Sequence, residues 1–248
     1  MIERSVLFVT ALGWEAAAIA PAIDGKVVSR RGPFTLWKGR SGVAPQWLLR
    51  VGVGAERAAR GLQWAAEAVR PAVVASTGCG GALKMGLGVG DVVVADVVVD
   101  ATGRSRGTSA EWRERYYRAT LAAGLSFHAG PILTSEVMLL DPESKRRAAE
   151  AKGALAVEME ATAIADSCAT RGVEFCAARV ILDVADVSLA PELPALTNPD
   201  GTISTPALLR ALVHRPGLLR ELLALRAAVQ ICSRALGRLH FELVRGVR

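Results

Sequence analysis

The sequence predicts a three-layer α/β/α protein. Short apolar runs rich in Val, Ile and Leu, typical of buried strands, alternate along the chain with segments typical of helices. The 248 residues are 51% hydrophobic and 22% charged, which excludes a disordered chain and supplies one large core. The sequence contains no internal repeat and no low-complexity tract. We therefore expect one α/β domain over residues 1–204 and a helical C-terminal arm over residues 205–248, packed on that domain.

The predicted elements follow one another with short connections. Strands are predicted at residues 5–10, 26–31, 34–38, 47–51, 72–76, 91–100, 127–134, 154–157 and 175–182. Helices are predicted at residues 14–20, 55–69, 111–123, 142–152 and 161–171, and from residue 207 onward. Residues 189–206 are rich in Pro, Thr, Asn and Gly and are predicted to form a loop.

The positive charge of the chain is concentrated in the arm. Residues 205–248 hold eight arginines, no lysine and two glutamates, which accounts for the whole net charge of +6 and leaves residues 1–204 neutral. Leucines interleave with these arginines, as in a helix packed on the core with a solvated arginine face. The same pattern suits an amphipathic surface that lies on anionic lipid. Because the arm has few aromatic residues and no known nucleic-acid motif, we expect no nucleic-acid partner.

The cysteines and histidines give no metal-ligand pattern. Four scattered cysteines form no Cys-x-x-Cys pair, and three histidines add no ligand spacing, so we expect neither a metal nor a cofactor. A chain of 26.1 kDa is also too large for a small disulfide scaffold. The N-terminal ten residues lack a long apolar segment and a cleavage signal, and no apolar stretch approaches the roughly 20 residues that span a bilayer. These features favour a cytoplasmic location.

A glycine-rich segment follows the predicted strand 72–76. It reads Thr77-Gly78-Cys79-Gly80-Gly81 and lacks both the P-loop spacing and the helix that follows a dinucleotide-binding fingerprint. Glycines in such a position let backbone N–H groups approach a ligand, and open α/β sheets bind ligands beyond the carboxyl ends of their strands. The segment fits a tight turn equally well. Cys79 has no cationic activator nearby in sequence, so we interpret it as a small packing residue.

Acidic residues follow three of the predicted strands. Glu158 and Glu160 stand between a strand and an Ala-rich helix, Asp183 ends the last strand, and Glu15 follows the first. A carboxylate in the first turn of a helix is stabilised by the helix dipole, and an aspartate at a strand end often caps the next turn. A carboxylate in a crevice also accepts two hydrogen bonds, which suits the vicinal hydroxyls of a sugar. Spacing alone does not decide between these alternatives.

The order of these motifs resembles the nucleoside phosphorylase superfamily, especially its methylthioadenosine/S-adenosylhomocysteine nucleosidase branch. The resemblance covers residues 5–188 and rests on the segments Gly52-Val53-Gly54, Thr77–Gly81, Val157-Glu158-Met159-Glu160-Ala161-Thr162 and Asp183-Val184-Ala185-Asp186. It implies a three-layer sandwich around a twisted, mixed and mostly parallel sheet, assembled as a homodimer or a larger homo-oligomer. It further implies an enzyme that breaks the N-glycosidic bond of a small-molecule purine nucleoside.

The resemblance assigns roles to the acids. Glu160 matches the acid that holds the ribose hydroxyls, and Met159 matches the residue under the ribose. Asp183 matches the acid that protonates or hydrogen-bonds N7 of the purine, and Glu15 matches the acid that orients the attacking water. We expect Asp183 and Glu15 to be the catalytic residues.

Further contacts are expected around these acids. Glu158, Gly78, Cys79 and Met138 complete the expected substrate-binding set. The anion or nucleophile is expected at Ser76, Thr77 and Gly54.

Four positions depart from the family pattern. Leu182 and Cys79 stand where the nucleosidases carry serine, and Met138 stands where they carry the aromatic residue that stacks on adenine. Ser76 stands where phosphate-using relatives carry arginine. The serine at position 76 makes a phosphorylase a less favoured interpretation. Arg50 or Arg57 and backbone N–H groups nevertheless remain to hold phosphate.

The C-terminal region resembles a narrower group, the hopanoid-associated phosphorylases. The similar segments are residues 198–201, 207–212 and 215–217. These relatives remove adenine from adenosylhopane during bacterial hopanoid synthesis. The resemblance therefore implies a nucleosidase for adenosylhopane, with water or phosphate as acceptor and the arm in peripheral contact with the inner face of the cell membrane. A methylthioadenosine-type nucleosidase, a purine nucleoside phosphorylase and a nucleoside-binding sensor without catalysis are the alternatives.

Overall fold

A computed structural model describes residues 4–40, 45–198, 202 and 204–246. Within these residues, eleven strands form one mixed sheet. The strands are β1 Val6–Thr10, β2 Lys26–Arg31, β3 Phe34–Arg40, β4 Pro45–Arg50, β5 Val73–Ser76, β6 Cys79–Ala82, β7 Val92–Asp100, β8 Ser105–Gly107, β9 Phe127–Thr134, β10 Ala156–Glu158 and β11 Glu174–Asp183.

Helices flank the sheet. They are α1 Gly13–Ile19, continued by a 3-10 turn at Ala20–Ile23, α2 Ala55–Ala65, α3 Ala110–Ala122, α4 Pro142–Lys152, α5 Ala161–Arg171, α6 Leu193–Leu196, α7 Thr205–His214 and α8 Leu218–Arg245. Within the described residues, no helix is both long enough and apolar enough to cross a bilayer.

The strand order is β2-β3-β4-β1-β5-β11-β6-β10-β9-β7-β8. Strands β4, β1, β5 and β11 run parallel, so the segments that follow them emerge at one edge of the sheet. An additional antiparallel pairing between β11 and β7 closes β11, β6, β10, β9 and β7 into a ring. Strand β11 joins the parallel part of the sheet to this ring. Its residues 174–177 pair with β5, and its residues 180–183 pair with β6.

Alternating side chains of the central strands divide the interior into two cores. In β1, Leu7 and Val9 face a core shared with α2 and α5, whereas Val6 and Phe8 face a core shared with α1, α3 and α8. Successive strand residues point to opposite faces of a sheet, and a strand that is apolar at every position is therefore covered on both faces. The predicted three-layer α/β/α fold and mixed sheet are confirmed.

The structure corrects several element boundaries. The glycine-rich segment 77–81 is a turn only at Thr77 and Gly78, because Cys79–Ala82 is strand β6. The predicted loop 189–206 contains helix α6, and α7 begins inside it at Thr205. Helix α2 ends at Ala65 rather than at residue 69. Strand β8 was not predicted, and residues 199–201, which contribute to the narrower resemblance, lie outside the described residues.

The arm divides into two parts with different surroundings. The second half of α8 belongs to the main core and contributes Cys232, Leu236 and Leu239 to it. The first half of α8 packs with α6 and α7 around a separate small cluster that includes Leu196 and Leu218. The domain boundary at residue 204 stays a prediction.

Candidate active site

Three glycines of the segment 77–81 leave room for groups from other elements. A Cβ on Gly78, whose φ is +142°, would lie 2.8 Å from Oε1 of Glu15. A Cβ on Gly80 would lie 2.6 Å from the carbonyl oxygen of Val157, and one on Gly81 would lie 3.0 Å from Oδ2 of Asp183. Side chains at these positions would displace the groups that they meet. The segment therefore lets residues far apart in the chain approach one another.

Glu15 lies buried in the first turn of α1, with both carboxylate oxygens hydrogen-bonded. Oε2 accepts from Oγ1 of Thr10 at 2.5 Å and from the N–H of Leu12 at 2.9 Å, and Oε1 accepts from the N–H of Cys79 at 2.7 Å. Burial raises the pKa of Glu15 above its ordinary value, although these hydrogen bonds and the charge of Arg179 act in the opposite direction. A buried carboxyl with a raised pKa holds a proton more readily than an exposed one.

Glu160 stands at the start of α5 and reaches across to α2. Its Oε1 accepts a hydrogen bond of 2.7 Å from the N–H of Gly54, the residue that precedes α2. Burial and the neighbouring charge of Glu158 raise the pKa of Glu160 to about 8, against the opposing effects of the Gly54 N–H and Arg179. Gly54 has a φ of +104°, which glycine adopts without strain.

Glu158 forms a buried ion pair with Arg179 at the centre of this region. Its Oε2 accepts from a guanidinium N–H of Arg179 and from the N–H groups of Glu160 and Ala161, at 2.9 and 2.8 Å. Oε1 accepts from Oγ1 of Thr134 at 2.5 Å. With these four donors, Glu158 is engaged within the protein.

Arg179 in turn joins the acid pair to strand β5. Its side chain is 3% exposed, and Nη2 also donates a hydrogen bond of 2.9 Å to Oγ of Ser76. The charges of Glu158, Glu160 and Glu15 raise the pKa of Arg179, overcoming the effect of burial. Arg179 thus supplies a positive charge among three acids.

Thr77 connects the site to the C-terminal helix. Its Oγ1 lies 3.1 Å from Nε2 of His240, and Nδ1 of His240 lies 2.8 Å from the carbonyl oxygen of Leu236. A carbonyl only accepts, so Nδ1 carries the proton and Nε2 accepts from the threonine hydroxyl. Burial lowers the pKa of His240 to about 4, which keeps its ring neutral at pH 7.

Asp183 lies beside this group of residues, at the end of β11. Its Oδ2 lies 2.6 Å from Nζ of Lys145, whose side chain is fully buried. The same ammonium donates to the carbonyl oxygens of Val184 and Val187. The side chain of Asp183 is 11% exposed.

A small cavity brings most of the expected site residues together. Its volume is about 20 Å³, which is sufficient for a water molecule. The side chains and backbone around it include Glu15, Ser76, Thr77, Gly78, Cys79, Glu160 and Arg179. Five expected residues of the described chain lie outside this lining: Asp183, Glu158, Met138, Met159 and Gly54. The carboxylate of Asp183 packs against Gly81, which is also outside the lining.

Met138, Met159 and Cys79 complete the set of expected residues. Met138 lies between β9 and α4, Met159 lies between β10 and α5, and both are half-buried. Burial, the neighbouring Cys232 and the charge of Glu15 raise the pKa of the Cys79 thiol well above its ordinary value. A thiol is a poor nucleophile in such an environment. Within the described ranges, no group of three or more Cys, His, Asp or Glu side chains is arranged to hold a metal ion.

Three residues of the site were not predicted from the sequence. Arg179 stands within the stretch 175–182 of β11, where it is the single charged residue among apolar ones. Lys145 lies in a helix of mostly charged and small residues, and His240 lies in the basic arm. The sequence does not indicate which of many charged helix residues is buried.

Comparison with known proteins assigns the chain to a family. A family model described as the phosphorylase superfamily matches residues 5–213. The chain belongs to the phosphorylase superfamily. The matched region takes in the sheet, Glu15, Glu160 and Asp183, whereas His240 lies beyond it. The resemblance to this superfamily is thereby confirmed.

Individual known proteins are also similar to this chain. A 5′-methylthioadenosine/S-adenosylhomocysteine nucleosidase of Exiguobacterium sp. is 34% identical over 173 residues, which is 62% of this chain and 73% of that protein. The nucleosidase of the same name from Neisseria meningitidis, solved with methylthio-immucillin-A, has a TM-score of 0.76 at 21% identity and covers 98% of this chain and 99% of its own. A futalosine hydrolase of Helicobacter pylori has a TM-score of 0.75 at 16% identity, with 98% of each chain covered. These structures share the fold.

Proposed function

We propose that this superfamily member is a nucleosidase that hydrolyses the N-glycosidic bond of an adenine nucleoside. The observation that carries the proposal is the convergence of Glu15, Glu160 and Arg179 on one water-sized cavity. Asp183 lies outside the lining but packs against Gly81, in the same glycine-rich segment whose Gly78 and Cys79 line the cavity. Breaking this bond places positive charge on the sugar and negative charge on the departing base. A carboxylate beside the sugar stabilises its positive charge, and a proton at N7, held by Asp183, neutralises the negative charge of the purine.

In the proposed reaction the oxygen of a water molecule bonds to C1′ of the ribose while the bond from C1′ to the purine breaks. The electron pair leaves with the purine, whose N7 takes a proton from solvent and donates it in a hydrogen bond to the carboxylate of Asp183. Glu15 takes the proton that the attacking water loses. Proton transfer by a positioned side chain typically contributes 10²–10⁴-fold to the rate.

Glu160 is assigned to the sugar. Its Oε1 is held by the N–H of Gly54, which leaves Oε2 for a ribose hydroxyl. A fixed ribose keeps the base and the water on opposite faces of C1′, and such orientation is a large part of enzymatic rate enhancement. Glu158 plays a different part, because its ion pair with Arg179 and three further donors fix the start of α5.

Water is favoured over phosphate as the acceptor. The guanidinium of Arg179, which is the cation at the cavity, is already bound to Glu158 and Ser76. Arg57 donates to the carbonyl oxygen of Val53, and Arg50 donates to that of Pro33.

Release of free adenine tests the proposal. We expect the purified protein to release adenine from an adenine nucleoside at a rate that is unchanged when phosphate is added, and to form a free reducing sugar. A rate proportional to phosphate with a sugar 1-phosphate as product would identify a phosphorylase. Tight binding of a nucleoside with no adenine released would identify a sensor. Size-exclusion chromatography of the same preparation tests the predicted homo-oligomer.

For the substrate we propose adenosylhopane, an adenine nucleoside with a polycyclic lipid at its 5′ end. The support is the resemblance of the C-terminal region to the hopanoid-associated phosphorylases, together with the surface of α8. Leu219 and Leu223 are exposed, and because they are four residues apart they share one helical face. Arg220 and Arg226 are exposed nearby, so leucines and arginines together form a surface suited to anionic lipid. 5′-Methylthioadenosine is the second candidate, favoured by the relative that is 34% identical.

Two measurements separate these candidates. Comparison of kcat/KM for adenosylhopane and 5′-methylthioadenosine ranks the substrates, and a higher value for 5′-methylthioadenosine overturns the lipid substrate. Co-sedimentation with vesicles containing phosphatidylglycerol tests the surface. Leu219→Ser with Leu223→Ser should abolish sedimentation, whereas Leu121→Ser, an exposed leucine on α3, should not. Deletion of the whole arm is unsuitable because the second half of α8 belongs to the core.

A further inference from the structure

Helix α4 buries a charge where an amphipathic helix would bury an apolar side chain. Lys145 is the residue of α4 that is fully buried, and its side chain is 0% exposed. Desolvation of an ammonium group is costly unless its donors are paired. Helix α4 also contains alanines, and burying an alanine does not require desolvation of a charge. Packing alone therefore does not account for a lysine at position 145.

The three donors of the Lys145 ammonium group have three acceptors. Nζ lies 2.6 Å from Oδ2 of Asp183, 2.8 Å from the carbonyl oxygen of Val184 and 3.1 Å from that of Val187. An ammonium group has three N–H donors, so none remains for solvent or substrate. One side chain thus fixes the aspartate at the end of β11 and the chain segment that follows it.

Asp183 is thereby held from two sides. Lys145 occupies Oδ2, and Gly81 lies so close that a Cβ there would be 3.0 Å from Oδ2 and 3.2 Å from Oδ1. Oδ1 is the oxygen that the ammonium leaves available. In the reaction proposed above, the N7–H of the departing purine donates to Asp183, and the adjacent ammonium fixes the direction from which Asp183 accepts.

We propose that Lys145 is a positioning residue for Asp183: it holds Oδ2 so that Oδ1 accepts the N7–H of the departing purine. This inference rests on the proposed function and assigns a part to a residue outside the cavity. Lys145 is expected to affect the departure of the base rather than the binding of the nucleoside.

Lys145→Met, which has a similar length and no charge, tests the proposal. With the adenine nucleoside that the wild type cleaves fastest, we expect kcat to fall at least 30-fold and KM to change less than threefold. Lys152→Met, on the same helix but away from Asp183, is the matched control and should keep kcat within twofold. Circular dichroism and thermal unfolding establish that the variants are folded. If Lys145→Met does not fold, Lys145→Gln, which keeps an amide donor, replaces it throughout.

A double-mutant cycle distinguishes positioning from a merely structural effect. If Lys145 acts through Asp183, adding Lys145→Met to Asp183→Asn should lower kcat less than threefold further, because the function it supports is already lost. Equal effects of Lys145→Met in the wild type and in Asp183→Asn would overturn the inference. Asp183→Asn alone should lower kcat at least 100-fold with little effect on binding.

The possible failures are distinguishable. If the wild type releases no adenine, or Asp183→Asn costs less than fivefold, the proposed function fails and the inference falls with it. If Asp183→Asn behaves as expected but Lys145→Met keeps kcat within threefold, the role of Lys145 alone is rejected.

Discussion

The carboxylate of Glu15 lies against Gly78, a glycine 63 positions further along the chain, so closely that a Cβ there would be 2.8 Å from Oε1. The adjacent N–H, that of Cys79, donates to the same oxygen at 2.7 Å. Glycine at position 78 therefore serves two purposes. It accepts a φ of +142°, and it lets the backbone bind the acid directly.

Gly78→Ala should therefore impair catalysis as well as stability. Gly86→Ala is the matched control, because Gly86 has a φ of +89° with nothing within 4 Å of an added Cβ. Both changes should cost about 1–2 kcal/mol of unfolding free energy through backbone strain. Only Gly78→Ala should also lower kcat/KM, by at least 30-fold, through displacement of Glu15. Comparable kcat/KM for the two variants would show that the contact with Glu15 has no catalytic importance.

Glu160 should make the protein less stable as pH rises. Its pKa is about 8 in the folded state against an ordinary 4.5, so the folded state holds a proton that the unfolded state has released. The stability from this proton is complete below about pH 4.5 and is lost as pH rises through 8. Glu160→Gln carries no such proton.

Thermal unfolding from pH 5 to pH 8 measures this effect. The wild type should lose at least about 1 kcal/mol relative to Glu160→Gln across that interval, which corresponds to roughly 2–4 °C in a domain of this size. Parallel melting temperatures for the two proteins over the whole interval would contradict the raised pKa of Glu160.

The buried pair of Glu158 and Arg179 should be costly to break from one side. Arg179→Met leaves Glu158 buried without its cation, and such changes destabilise by about 3–5 kcal/mol. Glu158→Gln with Arg179→Met removes both charges and should recover much of that loss. Arg146→Met is the control, because Arg146 pairs with Glu143 and Glu150 on the surface and exposed pairs contribute about 0–1 kcal/mol. Urea unfolding compares the four proteins. Similar stability for Arg179→Met and Arg146→Met would refute a structural role for the buried pair.

The alternation of strand and helix patterns was sufficient to predict the layers of this fold. The run from Val6 to Val9 is apolar at successive positions because both faces of β1 are covered, and such a run is visible without tertiary information. Cys79–Ala82 shows the limit. Its glycines carry no hydrophobic pattern, and its pairing with β10 and β11 comes from backbone groups alone.

The candidate site was also predicted only in part. Glu15, Glu160 and Asp183 follow predicted strands, and the carboxyl ends of parallel strands are the expected place for functional groups. Arg179 and Lys145 were missed because their importance comes from neighbours on other elements. A charged residue inside a strand or a helix has the same sequence signal whether or not it meets a partner in the folded chain.

His240 should make the protein sensitive to acid. Its pKa is lowered to about 4 in the folded state, whereas an unfolded histidine takes up a proton near pH 6.5. The unfolded state therefore binds more protons between these values, and the stability present above pH 6.5 is lost as pH falls towards 4. A difference of this size corresponds to about 3 kcal/mol.

His240→Gln removes the titrating ring and leaves a side chain able to accept from Thr77. Urea unfolding at pH 7.5 and at pH 4.5 should show a smaller acid-induced loss in the variant than in the wild type, by about 2–3 kcal/mol. Carboxylates titrate in both proteins and cancel in the comparison. An equal loss in the two proteins would mean that the ring is protonated, or solvated, in the folded state. Because the ring accepts from Thr77, protonation would also release the threonine hydroxyl at the edge of the cavity.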